Sequence, residues 1–519
     1  MKKITKLILL AFAGMFTLVS CEKFLQVNPR TQVSEAEYFQ TEDDMMKGLY
    51  NVLWEVKHRL LEIHDASAIL SDEAETGGGL GEGQWKLKWD TFTYGPTNCF
   101  GEWGYGSWWY EWDYGIYNGV IAANILIDKL EKCSLSESFV KPMMAEAKFF
   151  RALFYDYLWM GYEEIPLIPG VLKAEDMYTV HKGTRDEVFN FMMEDLSDEN
   201  IAALPARAQT EQGRVCADAA RVLRAKIILF HRSEANYGKA LADMREIITS
   251  GRFSLDPDFL HLWLKDGEWG PENIFDVSAS STNGEGMGFV HGLGGRNLSD
   301  PRSAEQGGLL NGYGQCTVSS YIYNMFEAGD TRREGSVIVY ADEAAKVQAL
   351  VDAGELPAGS VFTVSNEQEN YEGFGHYKYT PRKESTGTIE PENNHGTSFR
   401  FYRYSDVLLM GTELAVRTGG LNTESQGWFD QVRDRAFGNK NHRINLTGLS
   451  QQAALDILFK ERFLEFYDEM QRWFDILRFD KGTEVLGAKG WTEKYRYFPI
   501  DQSEIDRSNG GLTQNNGWK

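Results

Sequence analysis

The sequence predicts a mostly α protein of paired helices carrying two irregular insertions. Long stretches place apolar residues three or four apart, the period of a helix with one buried face. Between them lie two polar, glycine-rich regions, at about 71–106 and 252–400, where that period is lost. After the N-terminus no run is apolar enough to span a bilayer.

The first twenty residues read as a separate element. Lys2, Lys3 and Lys6 precede an apolar run over 7–19, shorter than the roughly 20 residues of a membrane span and typical of a secretory signal. Leu18-Val19-Ser20-Cys21 matches a bacterial lipobox, which predicts cleavage before Cys21 and lipidation of that residue. Several acyl chains anchor a protein stably, at about 0.8 kcal/mol per buried methylene. The expected organisation is a signal peptide at 1–20 and one domain at 21–519, held to the membrane by its lipid alone.

Ser34-Glu35-Ala36-Glu37 has the pattern of a capping box and opens a helix predicted over 34–62. Helices follow at 112–130 and 136–160, the latter aligning Met143, Ala147, Phe150, Phe154 and Tyr157 in one stripe. Thr184 to Glu187 caps a helix reaching about residue 204, and 215–232 with 236–250 form a hairpin closed by Gly251. The second insertion offers strand candidates at 337–340, 361–364 and 371–380. Helices return at 403–418, 425–437 and 449–479. Helix pairs of this length stack as tetratricopeptide-like units, although no repeat of fixed period is visible.

The formal net charge of −23 argues against a nucleic-acid partner, which needs a broad basic surface. Cys99, Cys133, Cys216 and Cys316 are scattered and read as small buried residues, and none of the nine histidines falls in a ligand spacing. No metal, cofactor or catalytic set is expected. On 449–479, Glu461, Arg462, Glu465, Glu469, Arg472, Asp475 and Arg478 interleave at helical spacing. They read as ion pairs on a helix surface, worth a few tenths of a kcal/mol each.

Those residues also carry a resemblance. Glu461-Arg462-Phe463-Leu464-Glu465-Phe466 with Gln471-Arg472-Trp473-Phe474-Asp475-Ile476-Leu477-Arg478 resembles the late signature of the SusD/RagB family, surface lipoproteins of Bacteroidetes that bind nutrients. Phe498-Pro499-Ile500-Asp501 and Gln514-Asn515-Asn516-Gly517 resemble the family's ending, with Asp501 where proline is usual. Glu146 to Ala152, Pro166-Leu167-Ile168, Thr184 to Val188 and Phe401 to Leu409 also fit. The resemblance implies about four tetratricopeptide-like pairs packed against a loop-rich half with a few short strands. It implies a place at the outer membrane facing the exterior, and a partner, a SusC-like TonB-dependent transporter that the protein covers as a lid.

The ligand has a candidate signal of its own. Trp85, Trp89, Trp103, Trp108, Trp109 and Trp112 are six of fourteen tryptophans within thirty residues. The run FGEWGYGSWWYEWDYG, residues 100–115, sets four of them among four glycines. A flat ring covers the C–H face of a sugar, and a few polar groups fix its orientation. Trp112 and Tyr114 read as packing at a helix start. Trp85, Trp89, Trp103, Trp108 and Trp109 are ligand candidates, with Asp72, Glu73, Asn98 and Glu102 as polar companions. The resemblance adds a contribution from the second insertion, where Trp263, Trp269 and Arg296 are available. The expected function is non-enzymatic capture of oligosaccharides for the transporter. Capture of a peptide or glycopeptide is the alternative, followed by glycoside hydrolysis and a lid with no ligand of its own.

Overall fold

Reciprocal hydrogen bonds between Thr41 and Asp44 open helix α1 (Glu42–Glu55). The computed structural model describes residues 39–99, 115–173, 175, 180–282, 286–385 and 394–518. The capping pattern at 34–37, the leader and Cys21 lie outside them. The expected single helix over 34–62 is therefore corrected within the described part. After α1 the chain widens into a π turn over Val56–Leu60, tightens into a 3-10 turn and resumes as α2 (His64–Leu70).

The first insertion is not wholly irregular. It contains β1 (Glu75–Thr76) and α3 (Gln84–Asp90), a two-turn helix between glycine-rich stretches. Next come α4 (Tyr117–Lys132) and the long α5 (Glu137–Tyr162), whose expected apolar stripe is buried throughout. β2 (Ile165–Pro166) and β3 (Lys182–Gly183) pair antiparallel. The Thr184–Glu187 capping box starts α6 (Arg185–Asp195), but the helix does not run to 204. Ser197 accepts from the Asn200 amide and begins a separate α7 (Asp198–Ala203). α8 (Ala217–His231) and α9 (Tyr237–Thr249) form the expected hairpin.

The second insertion is richer than its glycines suggest. It holds β4 (Asn273–Val277), α10 (Phe289–Leu293), β5 (Cys316–Thr317), α11 (Ser320–Met325) and β6 (Val337–Val339). A thirteen-residue helix, α12 (Tyr340–Asp352), and β7 (Phe374–His376) follow. The strand expected at 361–364 is a single bridge, Ser299 to Thr363. β8 (Phe399–Arg403) leads into α13 (Tyr404–Arg417), which pairs with α14 (Thr423–Phe437). The helix expected over 449–479 is two: α15 (Gln451–Phe466) and α16 (Arg472–Arg478). The break is enforced at Asp468 and Met470, whose φ angles are 65° and 58°.

The protein is mostly helical, and its hairpins stack as tetratricopeptide-like pairs. α1 lies on α4, α5 on α6, α8 on α9 and α13 on α14, with α9 against α13 joining the last two. Short two-stranded ladders tie the other half together. β1 with β5 and β4 with β8 are antiparallel. Through β1 and β5 the backbone of the first insertion is hydrogen-bonded to that of the second.

The interleaved charges are not on the surface. Glu461, Arg462, Glu465, Glu469, Arg472, Asp475 and Arg478 are all buried. Arg403 reaches Glu272 (2.5 Å), Glu465 (3.0 Å) and Glu469 (2.8 Å), while Arg435 bonds Glu465 and Glu272, and Arg332 bonds Glu461. Burial opposes ionisation of Glu465, yet Arg435, Arg403 and Arg332 together hold its carboxyl far below the ordinary range. No helix among the described residues is long and apolar enough to cross a membrane.

Candidate functional site

β1 and β5 bring the two insertions face to face, and a cleft opens beside their junction. Gly77, Gly78, Glu82, Gly83, Trp85 and Lys86 form one wall; Arg296, Tyr313 and Gln315 form the other. The backbones touch: the Gly77 amide donates to Gln315 O (3.0 Å) and the Gly78 amide to Gly314 O (2.5 Å). Glycine is required at 77, where a Cβ would stand 2.1 Å from the Gly314 oxygen. Asn370 Nδ2 donates to Thr76 O, and the Gly81 amide to Glu369 Oε1.

The polar groups in the cleft are held in place. Lys86 Nζ is paired with Asp65 and donates to Gln315 Oε1 (2.9 Å), and it lies 4.9 Å from the Trp85 ring centre. Arg296 Nη2 donates to Glu82 Oε1 at 2.9 Å. Tyr313 is 38% exposed and stands edge-on to His291, 4.2 Å between ring centres. Trp85 is half-buried. The described walls enclose about 130 Å³. Two rings with a guanidinium, an ammonium and an amide around them suit a flat, hydroxyl-bearing ligand.

Of the residues singled out in the sequence, Trp85 and Arg296 meet here, from different insertions. Tyr313, Gln315, Glu82 and Lys86 were missed. Tyr313 carried a usable signal, since Gly312-Tyr313-Gly314 repeats the glycine-flanked aromatic pattern of 100–115. Trp103, Trp108, Trp109, Glu102, Trp112 and Tyr114 lie outside the described residues.

Other candidates are corrected. Trp89, one helical turn from Trp85, is 1% exposed, and its Nε1 donates to Cys99 O (2.8 Å). It is a core residue. Asp72 is engaged by Arg472 Nε and Nη2 at 2.7 and 2.9 Å. Asn98 is exposed, and its Oδ1 caps the Gly95 amide in a turn. Glu73 is buried and accepts from the Asp468 amide, and burial with Asp468 beside it pushes its carboxyl well up. Trp263 is buried under Lys378 and Arg403. Trp269 does not line the cleft; Arg207 stands 5.8 Å over its ring and donates to its carbonyl.

A second cavity, between α5, α8, β8 and α16, is lined by Asp156, Lys226, Tyr402, Arg462 and Gln471 among aromatic rings. At about 60 Å³ it has room for a few waters and none for a sugar. Among the described residues no cluster of three or more His, Cys, Asp or Glu side chains could hold a metal ion.

Comparison with known proteins decides the lineage. Residues 271–490 match the profile of the SusD family, and residues 107–229 match a SusD-like profile described as starch-binding, associating with outer membrane. The chain belongs to the SusD family. SusD-like protein P25 of Formosa agariphila is 24% identical over 514 residues, covering 94% of this chain and 93% of that one. Among solved structures, surface glycan-binding protein A from Bacteroides fluxus superposes with a TM-score of 0.77 at 24% identity, over 92% of this chain and all of that one. The Bacteroides thetaiotaomicron protein in complex with laminarihexaose gives 0.76 at 24% identity, over 91% and 99%. A laminarin-binding SusD-like protein gives 0.76 at 25% identity, over 92% and 100%. The SusD fold thus spans nearly the whole chain.

Proposed function

We propose that this SusD-family protein is a non-enzymatic surface lipoprotein that captures oligosaccharides and passes them to a SusC-like outer-membrane transporter. The observation that carries the reading is the cleft in which Trp85 and Tyr313 stand with Arg296, Lys86 and Gln315. Of the proteins with similar structures, one binds laminarin and one is in complex with laminarihexaose, so a neutral glucan is the first ligand to try. The chemistry of the cleft supports binding over hydrolysis. Glycoside hydrolysis uses two carboxyl groups across the bond. Glu82 is the one carboxylate among the described lining residues, and it is tied to Arg296. The lipobox at Cys21 supports attachment by lipid, with the protein on the outside of the outer membrane.

The test is isothermal titration of the mature chain with neutral, acidic and host-type oligosaccharides, laminarihexaose included. Trp85→Ala and Arg296→Ala are expected to weaken binding at least tenfold, the order of about 1.4 kcal/mol per tenfold, with the thermal midpoint kept. Heat from peptides and silence from every sugar would replace the reading with peptide capture. Reducing sugar released from a polysaccharide would replace it with hydrolysis.

A further inference from the structure

A groove elsewhere on the molecule has aromatic walls that the fold does not need. Tyr50 and Trp54 are 55% and 40% exposed on α1, one turn and about 6 Å apart along the helix. They face a groove of about 510 Å³, closed on the far side by Glu211, Gln212, Gly213 and Arg214 and by the end of β4 with Ser278 and Ser280. That size is in the range of small-ligand sites. Large rings held side by side in water mark a binding surface more often than a single exposed ring does.

The groove is built, and charges of both signs line it, from Lys57, Glu211 and Arg214. The Trp54 ring is held by His58, stacked at 4.1 Å, and by the Arg59 guanidinium 4.9 Å from its centre. Arg214 is consumed by Glu146, with 2.9 Å and 2.5 Å bonds, and also lies 3.8 Å from Glu211. Beside the rings stand hydroxyls and an amide, from Ser278, Ser280 and Gln212, the three of them exposed. Two rings a turn apart, opposite hydroxyls and an amide set beside Glu211 and Arg214, match a saccharide chain, whose C–H faces stack while its hydroxyls find partners.

We infer that the Tyr50–Trp54 groove is a second saccharide-binding site, separate from the Trp85 cleft and using none of its residues. The inference takes its ligand class from the proposed function and its location from the groove alone. Two sites on one molecule raise retention on a long glycan through effective concentration, without any new contact at either. An oligosaccharide too short to bridge them gains nothing.

The experiment compares wild type, Trp85→Ala and Tyr50→Ala/Trp54→Ala, titrated with laminarihexaose, maltohexaose, xylohexaose and mannohexaose, and retarded in gels containing the matching polysaccharides. Trp85→Ala is expected to keep a weak saturable event with the sugar that binds wild type. The double variant is expected to lose that event and about tenfold in polysaccharide retention, while its hexasaccharide affinity at the first cleft stays. Ser278→Arg, which fills the groove from the opposite wall at an exposed position, reproduces the loss without touching the rings. Silence of Trp85→Ala where wild type binds overturns this site and leaves the first standing. Loss of transporter association in the double variant with glycan retention intact makes the groove a protein contact and also overturns it. A wild type silent to every sugar sinks the reading of both.

Discussion

Asp156 is a buried carboxyl that favours its protonated form. It lies on α5 in the small internal cavity, its Oδ1 has no hydrogen-bond partner, and burial pushes its pKa up to about 7 against the pull of Lys226. Its folded form therefore holds a proton more tightly than its unfolded form. The stability this confers is complete below about pH 3.8 and is lost as pH rises through about 7, on the order of 2–4 kcal/mol in all. Asp156→Asn is expected to flatten that descent, so that the variant gains thermal midpoint over wild type at pH 8 and not at pH 4. Melts at both pH values check this, and equal slopes for the two proteins would remove Asp156 as the cause. The same scale shows what a sequence reveals of a site. Trp85 and Trp89 looked alike, because their glycine-rich flanks hid the helix that turns one ring to the cleft and the other to Cys99. Arg296 was legible only through family resemblance. Tyr313 was legible from its glycines and was passed over for a denser run nearby.

Between elements, the charged residues of the late helices are where sequence and structure part. Glu461, Arg462 and Glu465 do share helix α15, while Glu469 lies in the turn beyond it, and periodicity cannot say whether a charged face meets water or other charges. The partners come from far away: Glu272 before β4, Arg332 before β6, Arg403 at the start of α13 and Arg435 on α14. Helix boundaries failed for related reasons. The left-handed residues that divide α15 from α16 are Asp468 and Met470, neither a glycine, and they are held by tertiary contacts such as the Asp468 amide to Glu73. α12 was missed although Tyr340-Ala341-Asp342-Glu343-Ala344-Ala345-Lys346 is rich in helix formers, because the glycines around it set the reading. The buried network makes a sharp prediction. Arg403→Met leaves Glu272, Glu465 and Glu469 without their shared guanidinium in a place water does not reach. Removing one partner of a buried ion set costs about 3–5 kcal/mol, far above the few tenths expected of surface pairs. Denaturant unfolding of Arg403→Met and Arg403→Lys measures it: a large loss in the first and a smaller one in the second are expected. A change below about 1 kcal/mol in Arg403→Met would return these residues to the status of incidental pairs.

Across the whole molecule, the chain's last residues brace its first insertion. Trp518 stacks on Tyr94 with ring centres 5.7 Å apart, and its Nε1 donates to Tyr497 O. Gln514 exchanges two hydrogen bonds with the Ile500 backbone, and Asn515 Nδ2 reaches Tyr162 O and Phe498 O. The Gln502 amide donates to Pro96 O, and Lys489 Nζ to Ser71 O. These contacts give the tail signature a physical meaning: its amide side chains fasten the C-terminus to the end of α5 and to the stretch leading up to residue 99. Asp501 has a local part of its own: its carboxylate caps the short helix over Gln502–Arg507 by accepting from the Ser503 amide at 2.7 Å. Ending the chain after Leu512 removes a buried indole, worth about 3–5 kcal/mol when deleted from a core, and several hydrogen bonds of about 1 kcal/mol each. The truncated protein is expected to melt several degrees lower and to be cut by protease between residues 90 and 99 before its helical pairs are touched. Trp518→Ala alone should reproduce the early cleavage with a smaller fall in melting temperature. If both proteins instead lose all their bands together, the tail stabilises the fold as one cooperative unit and does not brace the insertion in particular.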